Sequence, residues 1–318
     1  MEDGIVKAIS SDGTIRAVIA ATTKVVSDAR ERHNLSFTAT AALGRALTGA
    51  ALVSSVVAKR GKLSMKFQGD GPLGKVVVDA THKGTVRGYV ENPQVELPLN
   101  SLGNIDVGAA IGSKGYLHVT VDHGFGRPYT STVELTSGEV GEDINRYLVA
   151  SEQAGSVVIL GTHLDANGVE AAGGLIVQLL PDHTEETICK IENNIAQFGS
   201  FTFLMSRGMS LDDIMHRILD GFEVRIGRRL AVGRRCDQAN LLPFDEIELP
   251  NRFLDVVGRQ VVKLDDSVFE SDEASLAAGQ ESQVGDVFVI DEDLALRLIF
   301  EADQRQIGEP RSDPGELA

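Results

Sequence analysis

Cysteine is nearly absent from this chain: Cys189 and Cys236 are the two among 318 residues. Two thiols cannot build a disulfide framework and are too few for a closed structural zinc site of four thiolates. A reducing compartment is the default reading, either a cytoplasm or an organelle interior. Positive charge is also scarce. Lys and Arg number 30 against 46 Asp and Glu, a net charge of −16. That balance excludes a general binder of nucleic acid or anionic membrane, because phosphate contacts need cations in excess. Long apolar runs are missing too. The longest, Ala39 to Ala58, is broken by Arg45, Thr48 and two serines and reads as a core helix. No charged-then-apolar leader opens the sequence. There is no G-x-S-x-G elbow, no G-x-x-x-x-G-K-[ST] loop and no H-E-x-x-H helix, so nothing argues for an enzyme.

What is present divides unevenly. Hydrophobic residues make up 42% of the chain, ample for a large core. From Gly233 to the end the net charge is about −12, so most of the excess acid lies in the last quarter. The opening, IVKAISSDGTIRAVIAATTKVV, alternates around Ser11-Asp12-Gly13 and predicts two strands joined by a hairpin turn. A helix follows, with Ser36 as cap, apolar residues at helical spacing and Gly61 as stop. LSMKFQ, KVVVDA, TVRGYV, YLHVTVD and YTSTVEL then read as strands of an antiparallel sheet. Gly69-Asp70-Gly71-Pro72-Leu73-Gly74 spells the dinucleotide fingerprint, but it leads into a strand and not a helix, so a structural turn is expected. Glu142 to Ser151 reads as a helix, VVILGTHL as a strand, and GVEAAGGLIVQLLP as a glycine-kinked strand closed by Pro181. Beyond Asp182 the pattern turns helical. Ile188, Ile191, Ile195 and Phe198 form one apolar face, and Ser210-Leu211-Asp212-Asp213 opens a second helix through His216 and Leu219.

The stretch Val224 to Cys236, VRIGRRLAVGRRC, reads as a basic hinge: Arg225, Arg228, Arg229, Arg234 and Arg235 alternate with apolar residues, and Gly227 and Gly233 break any long helix. Cys236 follows two arginines that favour its thiolate and is the redox candidate; Cys189 reads as a helix thiol, partly exposed. His118 and His123, at odd spacing on a strand, point to opposite faces and read as surface or hydrogen-bonded histidines, not metal ligands.

Four separated segments, QGDGPLG (Gln68 to Gly74), TVRGYV, Ser151-Glu152-Gln153 and AAGGLIVQLLP (Ala171 to Pro181), together resemble the redox-regulated holdase chaperones of the heat-shock protein 33 family. The likeness is dense from Gly4 to Pro181 and thinner through the hinge. It implies an α+β fold: a substrate-binding domain with a mainly antiparallel sheet and packed helices (1–181), a helical linker and basic hinge (182–235), a small C-terminal domain (236–307) and a disordered tail (308–318). It implies unfolded or partly folded client proteins as partners, no use of ATP, a possible homodimer, and no nucleic acid or membrane. Family members carry a zinc site of one C-x-C and one C-x-x-C pair. Here the matching positions are Cys236, Gln238, Glu281 and Val284, which retain one thiol of four. Such a set cannot close a tetrahedral thiolate site, so zinc is expected to be lost and the switch with it. The acidic C-terminal region lying on the Arg-rich hinge is a further expectation, an electrostatic cover in place of zinc. A dedicated protein-interaction module derived from such a chaperone is the alternative.

Overall fold

The computed structural model describes residues 2–58, 60–153, 155–227 and 230–234. In chain order the elements are β1 (Gly4–Ser10), β2 (Ile15–Ala21), α1 (Thr23–His33), α2 (Phe37–Val57), β3 (Lys62–Gln68), β4 (Lys75–Thr81), β5 (Thr85–Val90) and α3 (Val107–Ile111). They continue with β6 (Tyr116–Asp122), β7 (Tyr129–Glu134), α4 (Val140–Glu152), β8 (Ser156–Asp165) and β9 (Gly168–Leu179). The last are α5 (Glu185–Ala196), α6 (Phe201–Ser206), α7 (Leu211–Ile218), β10 (Val224–Ile226), β11 (Leu230–Ala231) and β12 (Gly233–Arg234).

The α+β reading holds, but the strands make two sheets among the described residues, not one. The first runs β10-β1-β2-β9-β8, with β11 also pairing with β1; the second runs β12-β5-β4-β3-β6-β7. Between them lies α2, packed on β8, β9 and β2 on one side and on β4, β5 and β3 on the other. Ser36 caps it as expected, accepting from Ala39 N at 3.1 Å. It ends at Val57, short of Gly61. A helix between two apolar surfaces must be apolar all round, and residues 38–54 of α2 are buried without a break. Its hydroxyls are satisfied: Thr48 Oγ1 donates to Gly44 O at 2.8 Å and Thr40 Oγ1 to Ser36 O at 2.6 Å within the helix, and Thr38 Oγ1 donates to Glu96 Oε1 at 3.0 Å. With 21 residues and a mean hydropathy of 1.4 it is long and apolar enough to cross a membrane, yet 89% of that window is buried inside the fold.

The first sheet has a second core on its other face. Val6, Ile15, Ile19, Leu175 and Val177 pack there against Ile191, Phe201, Met205, Ile214 and Ile218 of α5, α6 and α7. Full burial of an Ile or Phe side chain contributes about 1.5–3 kcal/mol, so this layer is a substantial part of the fold. The expected apolar faces of α5 and α7 are the ones used, each capped at its start by Thr184 or Ser210.

Three expectations change. The chain from Thr23 to His33 is helix α1 and not the end of a strand: Val25, Val26 and Ala29 form its buried face, and Asn34 closes it in the left-handed conformation at φ 49°. The Gly69 to Gly74 turn is structural as expected, and its glycines serve α3, a helix not anticipated; a Cβ on Gly69 would stand 2.2 Å from Ile111 O. Strand β9 is not kinked at its glycines. Gly173 and Gly174 stay in register with Ala21 and Ala20, and the register shift, opposite His163/Leu164 of β8, leaves Glu170 of β9 as the extra residue. Gly173 is needed for close approach, since a Cβ there would meet Ala20 O at 2.5 Å and the Phe201 ring at 2.6 Å.

Candidate functional site

The described part of the basic segment is paired strand. β10 aligns antiparallel to β1 (Ala8↔Ile226, Ser10↔Val224), β11 pairs with β1 at Gly4↔Ala231, and β12 runs parallel to β5 at Gly233↔Thr85. Val232 between them is buried. Arg225 is exposed in β10. Arg228, Arg229, Arg235, Cys236, Gln238, Glu281 and Val284 lie outside the described residues, as does the side chain of Arg234. Cys189 is a free, exposed thiol on α5.

Sequence reasoning missed a buried ion pair. Arg45, in the middle of α2 and 1% exposed, places Nη1 2.9 Å from Glu139 Oε2. Glu139 precedes the first turn of α4, and its Oε1 accepts from Gly108 N in α3 at 2.9 Å. The pair thus ties three helices. Burial drives the Glu139 carboxyl up to about 7 against the pull of Arg45. Burial also drives Asp143 up to about 7, although its Oδ1 accepts from Thr136 N at 2.6 Å. The available signal was an arginine in an otherwise apolar helix, which demands an anion when buried.

The outward face of the second sheet is where polar and aromatic side chains gather. Strand alternation sends Leu63, Met65, Phe67, Leu117, Val119 and Val121 inward to α2 and leaves Ser64, Lys66, His118 and Thr120 outward. Register aligns Tyr89, Val77, Lys66, His118 and Thr132 in one row across five strands. His118 Nδ1 is 2.9 Å from Thr132 Oγ1; burial, then Lys66, hold its basicity below the usual imidazole range. Arg87 and Asp79 pair on the same face at 2.7 Å. Tyr116, at one end, is exposed.

At the β6–β7 turn the His123 ring stacks on Phe125 (centroids 5.9 Å) and lies against Tyr129 (5.7 Å). Phe125 is 66% exposed. Glu152 Oε1 receives both the Tyr147 hydroxyl at 2.7 Å and the Tyr129 hydroxyl at 3.3 Å, and burial pushes both phenols upward. A further exposed apolar pair, Leu99 and Leu102, stands on the turn before Ile105. This arrangement offers aromatic faces, hydroxyls and scattered charge to a macromolecular partner.

Comparison with known proteins identifies the family. The Hsp33 protein family model matches residues 3–240. The 33 kDa chaperonin of Gloeothece citriformis is 46% identical over 222 residues, covering 69% of this chain and 74% of its own. That of a Cyanothece species is 47% identical over 260 residues, covering 78% and 87%. The crystal structure of the 33 kDa chaperonin from Thermotoga maritima superposes with a TM-score of 0.69 at 38% identity, covering 74% of this chain and 81% of that one. This chain belongs to the Hsp33 family.

Proposed function

We propose that this chain is an ATP-independent holdase chaperone that binds unfolding proteins and prevents their aggregation, and that it does so without a zinc and disulfide switch. The family match across residues 3–240, which takes in both sheets and both cores, carries the chaperone reading. Holding a client needs no reaction. It needs apolar surface that a client's own exposed apolar groups can cover, at about 25 cal/mol for each Å² removed from water. Leu99, Leu102, Phe125, Tyr129 and Phe203 present such surface on a folded core.

The donor set supports the second half of the reading. Cys236, Gln238, Glu281 and Val284 offer one thiolate, one amide, one carboxylate and one side chain with no donor. Four-coordinate zinc is not closed by them. The partners are partly unfolded clients, with self-association into a homodimer open to the same surface, and the compartment is a cytoplasm or organelle interior.

The test is suppression of aggregation of a thermally unfolding client by the full chain, reduced and peroxide-treated, with Cys236→Ser alongside and zinc content measured. Equal suppression in every state, with no zinc, is the expected result. Suppression only after peroxide, lost in Cys236→Ser, would mean that the remaining thiol still switches the protein. No suppression in any state would sink the holdase.

A further inference from the structure

We propose that the free edge of β7 receives an extended segment of client polypeptide as an added strand. This deepens the holdase reading and rests on it. The Leu135 amide donates to Gly115 O at 3.0 Å, and the β6/β7 register continues from there through Leu117↔Val133 and Val119↔Ser131. Hydrogen-bonded and non-bonded pairs alternate along an antiparallel ladder. The backbone groups of Thr130, Thr132 and Glu134 therefore point away from β6. The side-chain contacts agree, because non-bonded pairs bring side chains closest: Thr132 meets His118 at 2.9 Å and Thr130 meets Thr120 at 2.8 Å. The next amide of the same parity, Thr136 N, is taken by Asp143 Oδ1 at 2.6 Å. That carboxylate ends the edge. The three outward amides before it bond to no group among the described residues.

Exposed edges are ordinarily blunted by proline, lysine, bulges or cover. The first sheet's outer strand follows the rule: β8 is buried along most of its length and its register shifts at His163/Leu164. Helix α4 packs beside β7, with Arg146 Nη2 3.9 Å from Glu134 Oε2 and the Tyr129 hydroxyl on Glu152, but the strand itself carries none of the sequence devices. YTSTVE has no proline or lysine, keeps one unbroken register with β6, and is exposed at Tyr129, Thr130, Thr132 and Glu134. Only another extended backbone supplies donors and acceptors at that spacing. The neighbouring Phe125 and Tyr129 rings give alternate side chains of such a strand an apolar seat. Unfolding proteins expose such segments.

The probe is an acetylated peptide of alternating valine and threonine with a lysine tail, titrated into the full chain. Hydrogen exchange should slow at Thr130, Thr132 and Glu134 and leave Ser131 and Val133 unchanged. N-methylation of alternate peptide amides should abolish binding, and Thr132→Pro, whose lost N–H serves no bond among the described residues, should weaken it about tenfold. Client aggregation is followed on the same preparations. Suppression with no protection of the three amides overturns the edge assignment and leaves the holdase standing. Protection in a chain that suppresses nothing supports the edge and sinks the holdase. Protection that grows with chain concentration in the absence of peptide makes the edge a contact between two copies and overturns the proposal.

Discussion

The two sheets share α2 but differ in what covers them. The first is covered on both faces, by α2 on one side and by α5 to α7 on the other. The second is backed by α2 and turns its other face outward. The difference is written in the strands. β2, IRAVIAA, and the AAGGLIV stretch of β9 are near-continuous small and apolar residues, as a doubly covered sheet requires, whereas β3, KLSMKFQ, and β6, YLHVTVD, alternate strictly. A doubly covered sheet has no side chain to spare for a partner. The second sheet gives half of its side chains to the core and keeps the other half free to evolve a surface.

The largest expected break of this contrast is Phe201→Ala, which empties the outer layer of the first sheet. It should lower unfolding free energy by roughly 3–5 kcal/mol in urea titration. A loss below about 1 kcal/mol would mean that the α5 to α7 layer is dispensable to the first sheet.

Next in size is a pH effect from the helices between the sheets. Asp143 is raised to about 7 in the fold, from an ordinary value of 3.8, by burial. Folding then favours its protonated form. Its contribution to stability is full below the unfolded value and is lost as pH rises through about 7. Stability measured from pH 5 to pH 8 should fall, and Asp143→Asn, which keeps an acceptor for Thr136 N, should remove roughly 2–4 kcal/mol of that fall. An unchanged slope in the variant would assign the pH dependence elsewhere.

The smallest stability effect belongs to the open face. Phe125→Ser with Tyr116→Ser should change unfolding free energy by no more than about 0.5 kcal/mol while reducing suppression of client aggregation. Equal suppression by the double variant would show that clients bind another surface.

Individual elements were legible wherever one physical demand dominated. Strict alternation marked β3 and β6, and the serine cap with its alanine-rich run marked α2. Helix α1 was not legible because Thr22-Thr23-Lys24-Val25-Val26 fits a strand period as well as a helical face; tertiary contact of Val25 and Val26 decided it. The division into two sheets was hidden because it depends on long-range pairing, such as Ile19 with Leu175, that no local window contains. Arg45 was visible only as an interruption of an apolar run. Its partner lies 94 residues further on, and burial, the property that makes the pair matter, is set by both sheets together. The free edge of β7 was least legible of all, since the direction of each amide follows from register and one residue of slip would reverse it.

The pairing of β2 with β9 also sets a timetable. Arg16 bonds to Gln178 across 162 residues of chain, and a ribosome adding about 5–20 residues per second needs roughly 8–30 s to deliver the second after the first. In the second sheet β12 follows later, but the five longer strands, all between Lys62 and Glu134, are synthesised within that interval. Throughout it the apolar β1–β2 hairpin is out and waiting for its neighbour, so during its own synthesis this protein passes through the condition of the clients it is built to hold.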